Sequence, residues 1–254
     1  MRVYDAALSQ EHIKTVMDVK PYPFALAPDP ADGSVLEKTW VALSWMPGEL
    51  AVSHQVYLGE SFDDVNDGAE GTFVGNQTKT DLIMGFPGFP YPAGLVPGTA
   101  YYWRIDEVND ADPNSPWKGD VWSFFIRPNT AWQPSPPDGM KFVDLNENLS
   151  WRPGMGASLY QVYFGESFDD VNSATDAPMI TEMIYDPGPL ELDKTYYWRV
   201  DGLDLQMTVT KGTVWSFTVT SGSGGLLGMY YDNGNLSGEP IVIRIDPQIN
   251  FNWG

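Results

Sequence analysis

Two copies of one acidic segment hold the residues whose types are best suited to chemistry. The sequence Glu-Ser-Phe-Asp-Asp-Val-Asn occupies positions 60–66 and again 166–172. Carboxylate and amide oxygens are ligands for calcium, which takes about six to eight oxygens in proteins. We expect no cofactor, and calcium is the alternative that these residues leave open. Its candidate ligands in the first copy are Asp63, Asp64, Asn66 and Asp67.

The same segments also match the start of a short helix. A serine is followed three residues later by an aspartate in both copies: Ser61 by Asp64, and Ser167 by Asp170. This is the spacing of a capping serine and an acidic residue in the first helical turn. In this interpretation the segment occurs twice because the turn is structural. The sequence favours the helical turn over two metal sites.

Other kinds of catalytic chemistry find little support in the sequence. The chain has no cysteine and two histidines, His12 and His54. Thiolate nucleophiles and cysteine-based zinc sites are therefore excluded. The sequence contains neither the Gly-x-Ser-x-Gly turn of serine hydrolases nor the Gly-x-x-x-x-Gly-Lys loop that holds phosphates. We predict no catalytic residues and expect that the chain is not an enzyme.

The charge of the chain limits its partners. Asp and Glu number 34 against 14 Lys and Arg, which gives a formal net charge of −20. Such a surface repels phosphate backbones and anionic membranes, so we exclude nucleic acid as a partner. No apolar run approaches the roughly 18–20 residues of a membrane-spanning helix, and we expect no membrane insertion.

An internal repeat organises most of the chain. The recurring segments are QVYLGESFDDVN at 55–66 and QVYFGESFDDVN at 161–172, YYWRID at 101–106 and YYWRVD at 196–201, and VWSF at 121–124 and 214–217. Short aromatic and β-branched segments, separated by clusters of Pro, Gly, Asn and Asp, are typical of β-sandwiches. The predicted fold class is therefore all-β, with two tandem immunoglobulin-like sandwiches and partial β elements at both ends.

Alternation of residue types predicts which side chains enter each core. Three residues of the YYWRID segment are expected to face inward: Tyr101, Trp103 and Ile105. Arg104 and Asp106 then face the solvent. His54 lies at an inward position where the second copy has Tyr160, so we interpret it as a core residue.

These residues resemble the fibronectin type III family. Its members carry a Trp late in the second strand, as Trp45 and Trp151 are placed, and a Leu six residues before a Tyr. The matching pairs are Leu95 with Tyr101 and Leu190 with Tyr196. The resemblance implies a tyrosine corner, in which the phenol bonds a nearby backbone group. The repeats are also similar to domains of large exported multidomain proteins of planctomycete-like bacteria.

The two ends resemble parts of other domains. Residues 1–19, with the segment RVYDAAL, are similar to the closing strand and helical turn of a concanavalin-like, laminin G-like jelly roll. A separate N-terminal helix packed on the first sandwich is the alternative. Residues 221–254 contain a Gly-Ser linker and then a segment, GLLGMYY, that is similar to the start of an anthrax protective-antigen domain. The two sandwiches are predicted at 20–128 and 129–220.

An insertion distinguishes the first copy and includes the segment GFPGFPYPAG at 85–94. Four aromatic residues are the candidate ligand-binding residues: Phe86, Phe89 and Tyr91 within the segment, and Trp117 farther along the chain. Their rings could stack on sugar faces or pack against a neighbouring domain. The prolines of the segment would stiffen the loop.

A second acidic stretch follows in the first copy, with Asp106, Glu107, Asn109, Asp110, Asp112 and Asn114. We place this stretch in the loop between the last two strands of the first sandwich. It lacks the central Gly of an EF-hand loop, so the calcium-binding signature fails. A solvated polar loop is expected, and a loose calcium site is the alternative.

Together these features predict a non-catalytic spacer and interaction segment of a secreted or cell-surface protein, involved in adhesion or carbohydrate binding. Its expected partners are the neighbouring domains of the same polypeptide and, from the families that its ends resemble, glycans or cell-surface polymers. Two alternatives stay open. The segment could be an accessory part of an extracellular glycoside hydrolase or peptidase, or a structural subunit of a surface layer or filament.

Overall fold

The structure is a computed structural model that describes residues 21–220, 226–231, 233, 234, 238 and 240–246. The chain divides into two compact units between Arg127 and Pro128. Each unit contains one β-sandwich, named sandwich 1 and sandwich 2 in chain order. The laminin G-like prediction for residues 1–19 lies outside the described residues, as does the predicted linker at 221–225.

Sandwich 1 packs a three-stranded sheet against a five-stranded sheet. The smaller sheet has the order β1-β3-β6, with strands Leu26–Asp29 (β1), Val41–Met46 (β3) and Asp81–Met84 (β6). The larger sheet has the order β2-β8-β7-β4-β5, with strands Ser34–Leu36 (β2), Val121–Ile126 (β8), Ala100–Val108 (β7), Ser53–Gly59 (β4) and Phe73–Gln77 (β5). Neighbouring strands are antiparallel, except that β2 runs parallel to β8.

Sandwich 2 repeats this arrangement. Its smaller sheet has the order β14-β11-β9, with strands Ile184–Tyr185 (β14), Leu149–Arg152 (β11) and Trp132–Ser135 (β9). Its larger sheet has the order β10-β17-β15-β12-β13, with strands Met140–Lys141 (β10), Val214–Val219 (β17), Lys194–Leu203 (β15), Leu159–Gly165 (β12) and Met179–Ile180 (β13), and Val209–Thr210 (β16) pairs with β15. The two predicted sandwiches are confirmed by this shared strand order.

Alternation along the strands forms both cores. The three inward residues predicted on β7 are completely buried: Tyr101, Trp103 and Ile105. Trp45 and Trp151 are also buried, each beside a second tryptophan in its own sandwich. Because burial of one large apolar side chain contributes roughly 1.5–3 kcal/mol, these aromatic clusters are a main source of stability.

A tyrosine corner is present in each sandwich. The backbone N–H of Val96 donates to the Tyr101 hydroxyl at 2.9 Å, and the N–H of Glu191 donates to the Tyr196 hydroxyl at 2.9 Å. The corner fixes the connection that leads into β7 or β15. This feature, which the fibronectin type III resemblance implied, is confirmed.

Each acidic segment forms one helical turn, Phe62–Asp67 (α1) and Phe168–Ser173 (α2). The serine before each turn accepts a hydrogen bond at 3.3 Å from a backbone N–H three residues later: Ser61 from Asp64, and Ser167 from Asp170. Val65 and Val171 are buried and attach the turns to the sandwiches. The predicted capped helical turn is therefore confirmed in both copies.

After sandwich 2, the strands Leu226–Tyr230 (β18) and Val242–Asp246 (β19) pair antiparallel as a two-stranded sheet. These strands lie in the region that resembles the start of a protective-antigen domain. A hairpin alone does not distinguish that family from others. Among the described residues, no helix combines the length and the apolar character needed to cross a membrane.

Candidate functional site

A buried arginine connects the acidic turn of sandwich 1 to the sheet. Arg104 lies on the face of β7 expected to meet solvent, yet it is only 3% exposed. Its guanidinium donates to the backbone carbonyls of Val65 and Asn66 at the end of α1. The same group lies 4.2 Å from the ring centroid of Tyr57. The prediction that Arg104 and Asp106 face solvent is therefore wrong, because both residues are buried and α1 covers this part of the sheet.

Asp106 holds the arginine in place. Its two carboxylate oxygens accept from Nε and Nη2 of Arg104 at 2.8 and 2.9 Å, which is a bidentate, charge-assisted pair. The Gly119 N–H also donates to Asp106, at 3.0 Å. A Cβ at Gly119 would lie 2.2 Å from the Ile105 carbonyl oxygen, so only glycine fits this position. The Arg–Asp pair is named the arginine bridge.

Sandwich 2 contains the same arginine bridge. Arg199 pairs with Asp201 at 2.8 and 2.9 Å and also donates to backbone carbonyls at the end of α2. The Gly212 N–H donates to Asp201 at 2.8 Å, and Arg199 lies 4.2 Å from the ring centroid of Tyr163. The repeated acidic turn, the arginine bridge and the glycine are thus one structural arrangement. The repeated Arg-x-Asp pattern was the sequence signal for it.

The four calcium candidates do not converge. Asp63 and Asp64 occupy the first turn of α1, where a negative charge stabilises the helix dipole. At the other end of the turn, the side-chain amide of Asn66 donates to the carboxylate of Asp67 at 3.1 Å. No three His, Asp or Glu side chains within the described ranges form a cluster that could hold a metal ion. The geometry thus assigns these residues to the helical turn, and the calcium site stays a prediction.

The second acidic stretch is divided between a strand and a loop. Asp106 and Glu107 belong to β7 and are buried, so their predicted place in a loop is wrong. The strand continues past Asp106 because the backbone of Glu107 pairs with that of Trp117 in both directions. Farther along, the Asp112 carboxylate accepts from the Asn114 N–H at 2.9 Å and forms a polar turn.

Glu107 pairs with His54 inside sandwich 1. The Nδ1 atom of His54 hydrogen-bonds Oε2 of Glu107, and Oε1 of Glu107 accepts from the Gly48 N–H at 3.0 Å. Both side chains are buried, which confirms His54 as a core residue. The corresponding residues of sandwich 2 are Tyr160 and Gly202, so this polar pair belongs to sandwich 1. Sequence reasoning missed the pair because it placed Glu107 in a loop.

The insertion at 85–94 folds into a compact loop after β6. The Gly85 N–H donates to the Pro90 carbonyl at 2.8 Å, and the Phe89 N–H donates to the Phe86 carbonyl at 3.0 Å. These short-range bonds fix the loop backbone. The loop therefore presents its aromatic rings in a defined arrangement.

An exposed group of aromatic residues lies at this loop. Trp40 and Phe86 pack edge to face with ring centroids 6.0 Å apart, and they are 40% and 49% exposed. Phe89 is 43% exposed, and the Lys38 ammonium lies 5.1 Å from the Trp40 ring. These four residues are named the aromatic surface. Sequence reasoning missed Trp40, although its replacement by Asn146 in the second copy was a usable signal.

Tyr91 turns toward the sandwich instead of joining the aromatic surface. Its ring meets Tyr101 edge to face at 5.1 Å. Burial, followed by the negative charge of Glu60 and the neighbouring Tyr101, raises the pKa of Tyr91 to about 12. These contacts give Tyr91 a packing role that attaches the loop to the core. Its predicted ligand contact is left untested.

Trp117 is separated from the other candidate ligand residues. Its backbone pairs with Glu107 near the end of β7, whereas Tyr91 packs on Tyr101 near the start of the same strand. A strand advances about 3.3 Å per residue, so these two places are roughly 20 Å apart. The structure therefore brings Phe86 and Phe89 to one loop but leaves Trp117 elsewhere.

Comparisons with known proteins yield a likeness to solved structures. No protein-family model and no curated protein matches the chain. The fold of this chain is similar to that of 180 chains in solved structures. One of these structures is the crystal structure of chicken CNTN1 FN1-FN3 domains. That structure is 13% identical, with a TM-score of 0.27, and the match covers 79% of this chain and 68% of that one. The fibronectin type III-like fold rests instead on the strand order and the two tyrosine corners.

Proposed function

We propose that the chain is a non-catalytic spacer and interaction segment of a secreted or cell-surface multidomain protein, and that sandwich 1 binds carbohydrate through the aromatic surface. The observation that carries this proposal is the exposed Trp40–Phe86 pair. It is supported by a loop whose backbone is fixed by its own hydrogen bonds.

The aromatic surface has the properties that sugar recognition requires. Large exposed rings offer apolar faces to the C–H groups of a pyranose, and tryptophan is the strongest anchor of this kind. The Lys38 ammonium beside Trp40 supplies hydrogen-bond donors for hydroxyl groups. Because the loop is already ordered, binding does not have to fix its backbone, which reduces the entropic cost.

The buried carboxylates support a non-catalytic role. Asp106, Glu107 and Asp201 are the buried acidic side chains of the described part of the chain. Asp106 and Asp201 each bind an arginine, and Glu107 binds His54 and a backbone N–H. These carboxylates are therefore engaged with partners inside the two sandwiches. This role is compatible with a spacer in a protein whose catalytic domain lies elsewhere.

The test measures binding of soluble oligosaccharides to the full chain, first on a glycan array and then by calorimetry. We expect Trp40→Ala to lower the affinity by at least about tenfold, which is roughly 1.4 kcal/mol. Phe62→Ala is the control, because Phe62 is as exposed as Phe86, at 49%, but lies on α1. The affinity of the Phe62→Ala variant for the oligosaccharide should equal that of the wild type.

Three outcomes would overturn the proposal. The wild-type chain could bind no glycan, or the Trp40→Ala and Phe62→Ala variants could bind glycan equally well. In either case the aromatic surface would be assigned to packing against a neighbouring domain. Hydrolysis of a polysaccharide or peptide by the purified chain, if lost in Asp63→Asn, would refute the non-catalytic role.

A further inference from the structure

Sandwich 2 has an open cavity beside α2. The cavity has a volume of about 520 Å³ and lies between β12, α2 and the segment that leads to β13. Apolar parts of its wall come from Val162, Phe164 and Tyr185. Glu166 and Asp176 add carboxylates at its rim, where both residues are exposed. Neither the arginine bridge nor the core requires such an opening.

The cavity is open because the edge strand is short. In sandwich 1, β5 pairs with β4 from His54 to Tyr57, and the Thr72 carbonyl then accepts from the Leu58 N–H at 2.8 Å. In sandwich 2, β13 pairs only with Tyr160 and Gln161. The remaining edge of β12 therefore borders the cavity.

Local sequence explains the short strand. Helix α1 ends at Gly68 in the left-handed conformation, with φ of 67°, whereas α2 ends at Ala174 with φ of −59°. Pro178 stands directly before β13 and lines the cavity. Because proline has no N–H, the ladder cannot continue through it toward the end of β12.

Sandwich 1 indicates which group fits this side of the fold. The Tyr91 ring packs on Tyr101, and its pKa is raised in part by the charge of Glu60. Tyr91 therefore contacts the Tyr101 ring, and its phenol lies within the electrostatic influence of Glu60. It is carried by the loop that follows β6, the strand that corresponds to β14 in sandwich 2.

The counterparts of these two neighbours border the cavity. Glu166 corresponds to Glu60 and lines the cavity directly. Tyr196 corresponds to Tyr101, and Phe164, which also lines the cavity, stacks on it with centroids 5.1 Å apart. In sandwich 2 only the residues 186–189 separate β14 from Leu190, so no inserted loop supplies a tyrosine. The two residues beside Tyr91 in sandwich 1 thus have their counterparts in sandwich 2 at the cavity (Glu166) or one ring away from it (Tyr196).

We propose that this cavity binds a tyrosine side chain from a loop of a partner protein, in the manner of Tyr91 in sandwich 1. The apolar wall would contact the ring, and the rim carboxylates of Glu166 and Asp176 would accept from the phenol O–H. The lining carries the carboxylates of Glu166, Asp170 and Asp176 against one cation, the Lys194 ammonium that donates to Glu166 at 2.7 Å, so its net negative charge repels a phosphorylated tyrosine.

The test uses p-cresol, the analogue of the tyrosine side chain, with the full chain and amide NMR. Saturable shift changes are expected at residues 162–166 and 174–177. Ala177→Phe, which adds a ring to the cavity wall, should weaken binding by at least roughly tenfold. The matched control is Ala69→Phe in the loop after α1, which should bind p-cresol as the wild type does. The phosphate ester of p-cresol should leave these amides unshifted.

A second variant tests the relation between the two sandwiches. Tyr91→Ala removes the covering ring, so p-cresol should then shift a second set of amides, near Glu60 and Tyr101. If Ala177→Phe fails to fold, Asp176→Ala replaces it. This substitution of an exposed residue should weaken the binding of p-cresol and leave the binding of toluene, which lacks the hydroxyl group, unchanged.

Absence of saturable shifts along β12 would overturn the proposal. Equal binding to the wild type and Ala177→Phe would do the same, as would equal binding of p-cresol and its phosphate ester.

Discussion

In both sandwiches the buried tryptophan pair has the same geometry, with ring centroids 6.3 Å apart and an interplanar angle of 59°: Trp45 with Trp103, and Trp151 with Trp198. The arginine bridge also repeats with the same distances. The two edges, in contrast, differ. Sandwich 1 has a five-residue β5 and an aromatic loop, whereas sandwich 2 has a two-residue β13 and a cavity.

This contrast separates two kinds of residue. Positions that keep their partners in both copies support the fold, because each copy must close its own core. Positions that differ are free from that requirement and are the better candidates for binding. The acidic turns belong to the first group, and the aromatic surface belongs to the second.

Removing the arginine bridge should have the largest effect. Arg104→Met and Arg199→Met each leave a buried aspartate without its cation, which costs roughly 3–5 kcal/mol of unfolding free energy. Each variant should destabilise its own sandwich, as measured by native-state hydrogen exchange of amides in β4 and β12. Lys194→Met is the control, since its pair with Glu166 is exposed and solvent screens the interaction. If Arg104→Met and Arg199→Met lose no more stability than Lys194→Met, the arginine bridge does not support the fold.

The polar pair of sandwich 1 should behave as a coupled unit. Glu107→Gly leaves the Gly48 N–H and the His54 ring without their partner, at a cost of about 1–3 kcal/mol. Adding His54→Tyr installs the residues of sandwich 2 and should recover a large part of this loss. A double-mutant cycle from urea unfolding measures the coupling, expected at about 1–2 kcal/mol. Strictly additive effects would mean that the two residues act independently.

The helix caps should contribute less, and equally in both copies. Ser61→Ala and Ser167→Ala each remove one acceptor for a backbone N–H, at a cost of about 1 kcal/mol. Ser173→Ala is the control, because its exposed hydroxyl makes a long bond of 3.4 Å. Chemical unfolding of the three variants gives the comparison. A clear difference between the two caps would show that the turns are not equivalent.

Sandwich 1 should also lose stability at alkaline pH. The pKa of Tyr91 rises from the ordinary 10.0 to about 12, so the unfolded chain loses its proton first as the pH increases. Stability is therefore full below about pH 10 and decreases through about pH 12. Tyr91→Phe should reduce this decrease, measured by urea unfolding across that interval. An unchanged pH profile in Tyr91→Phe would show that the phenol does not titrate as described.

The repeat made most of the fold predictable. Two tandem sandwiches, the inward residues of β7, the capped turns and the tyrosine corners all follow from patterns within short segments. Local spacing determines these features, because the period of a strand and the geometry of a cap involve only nearby residues. Trp45 and Trp151 were placed correctly for the same reason.

Other features depended on contacts between distant segments. Arg104 has the pattern of a solvent-facing residue, and only α1, 38 and 39 residues away in sequence, makes it buried. His54 and Glu107 are 53 residues apart, and their pairing required the strand to extend past the repeated segment. Neither pairing has a local signature.

The sequence by itself determined which segments form strands and turns and that they occur twice. Only the tertiary structure decided which outward faces of the sheets are covered and which sheet edges stay open, since a face is covered only when a segment distant in sequence packs against it. For this reason, Trp40 was recognised as part of the aromatic surface only in the structure. The cavity of sandwich 2 likewise was not predicted from the sequence.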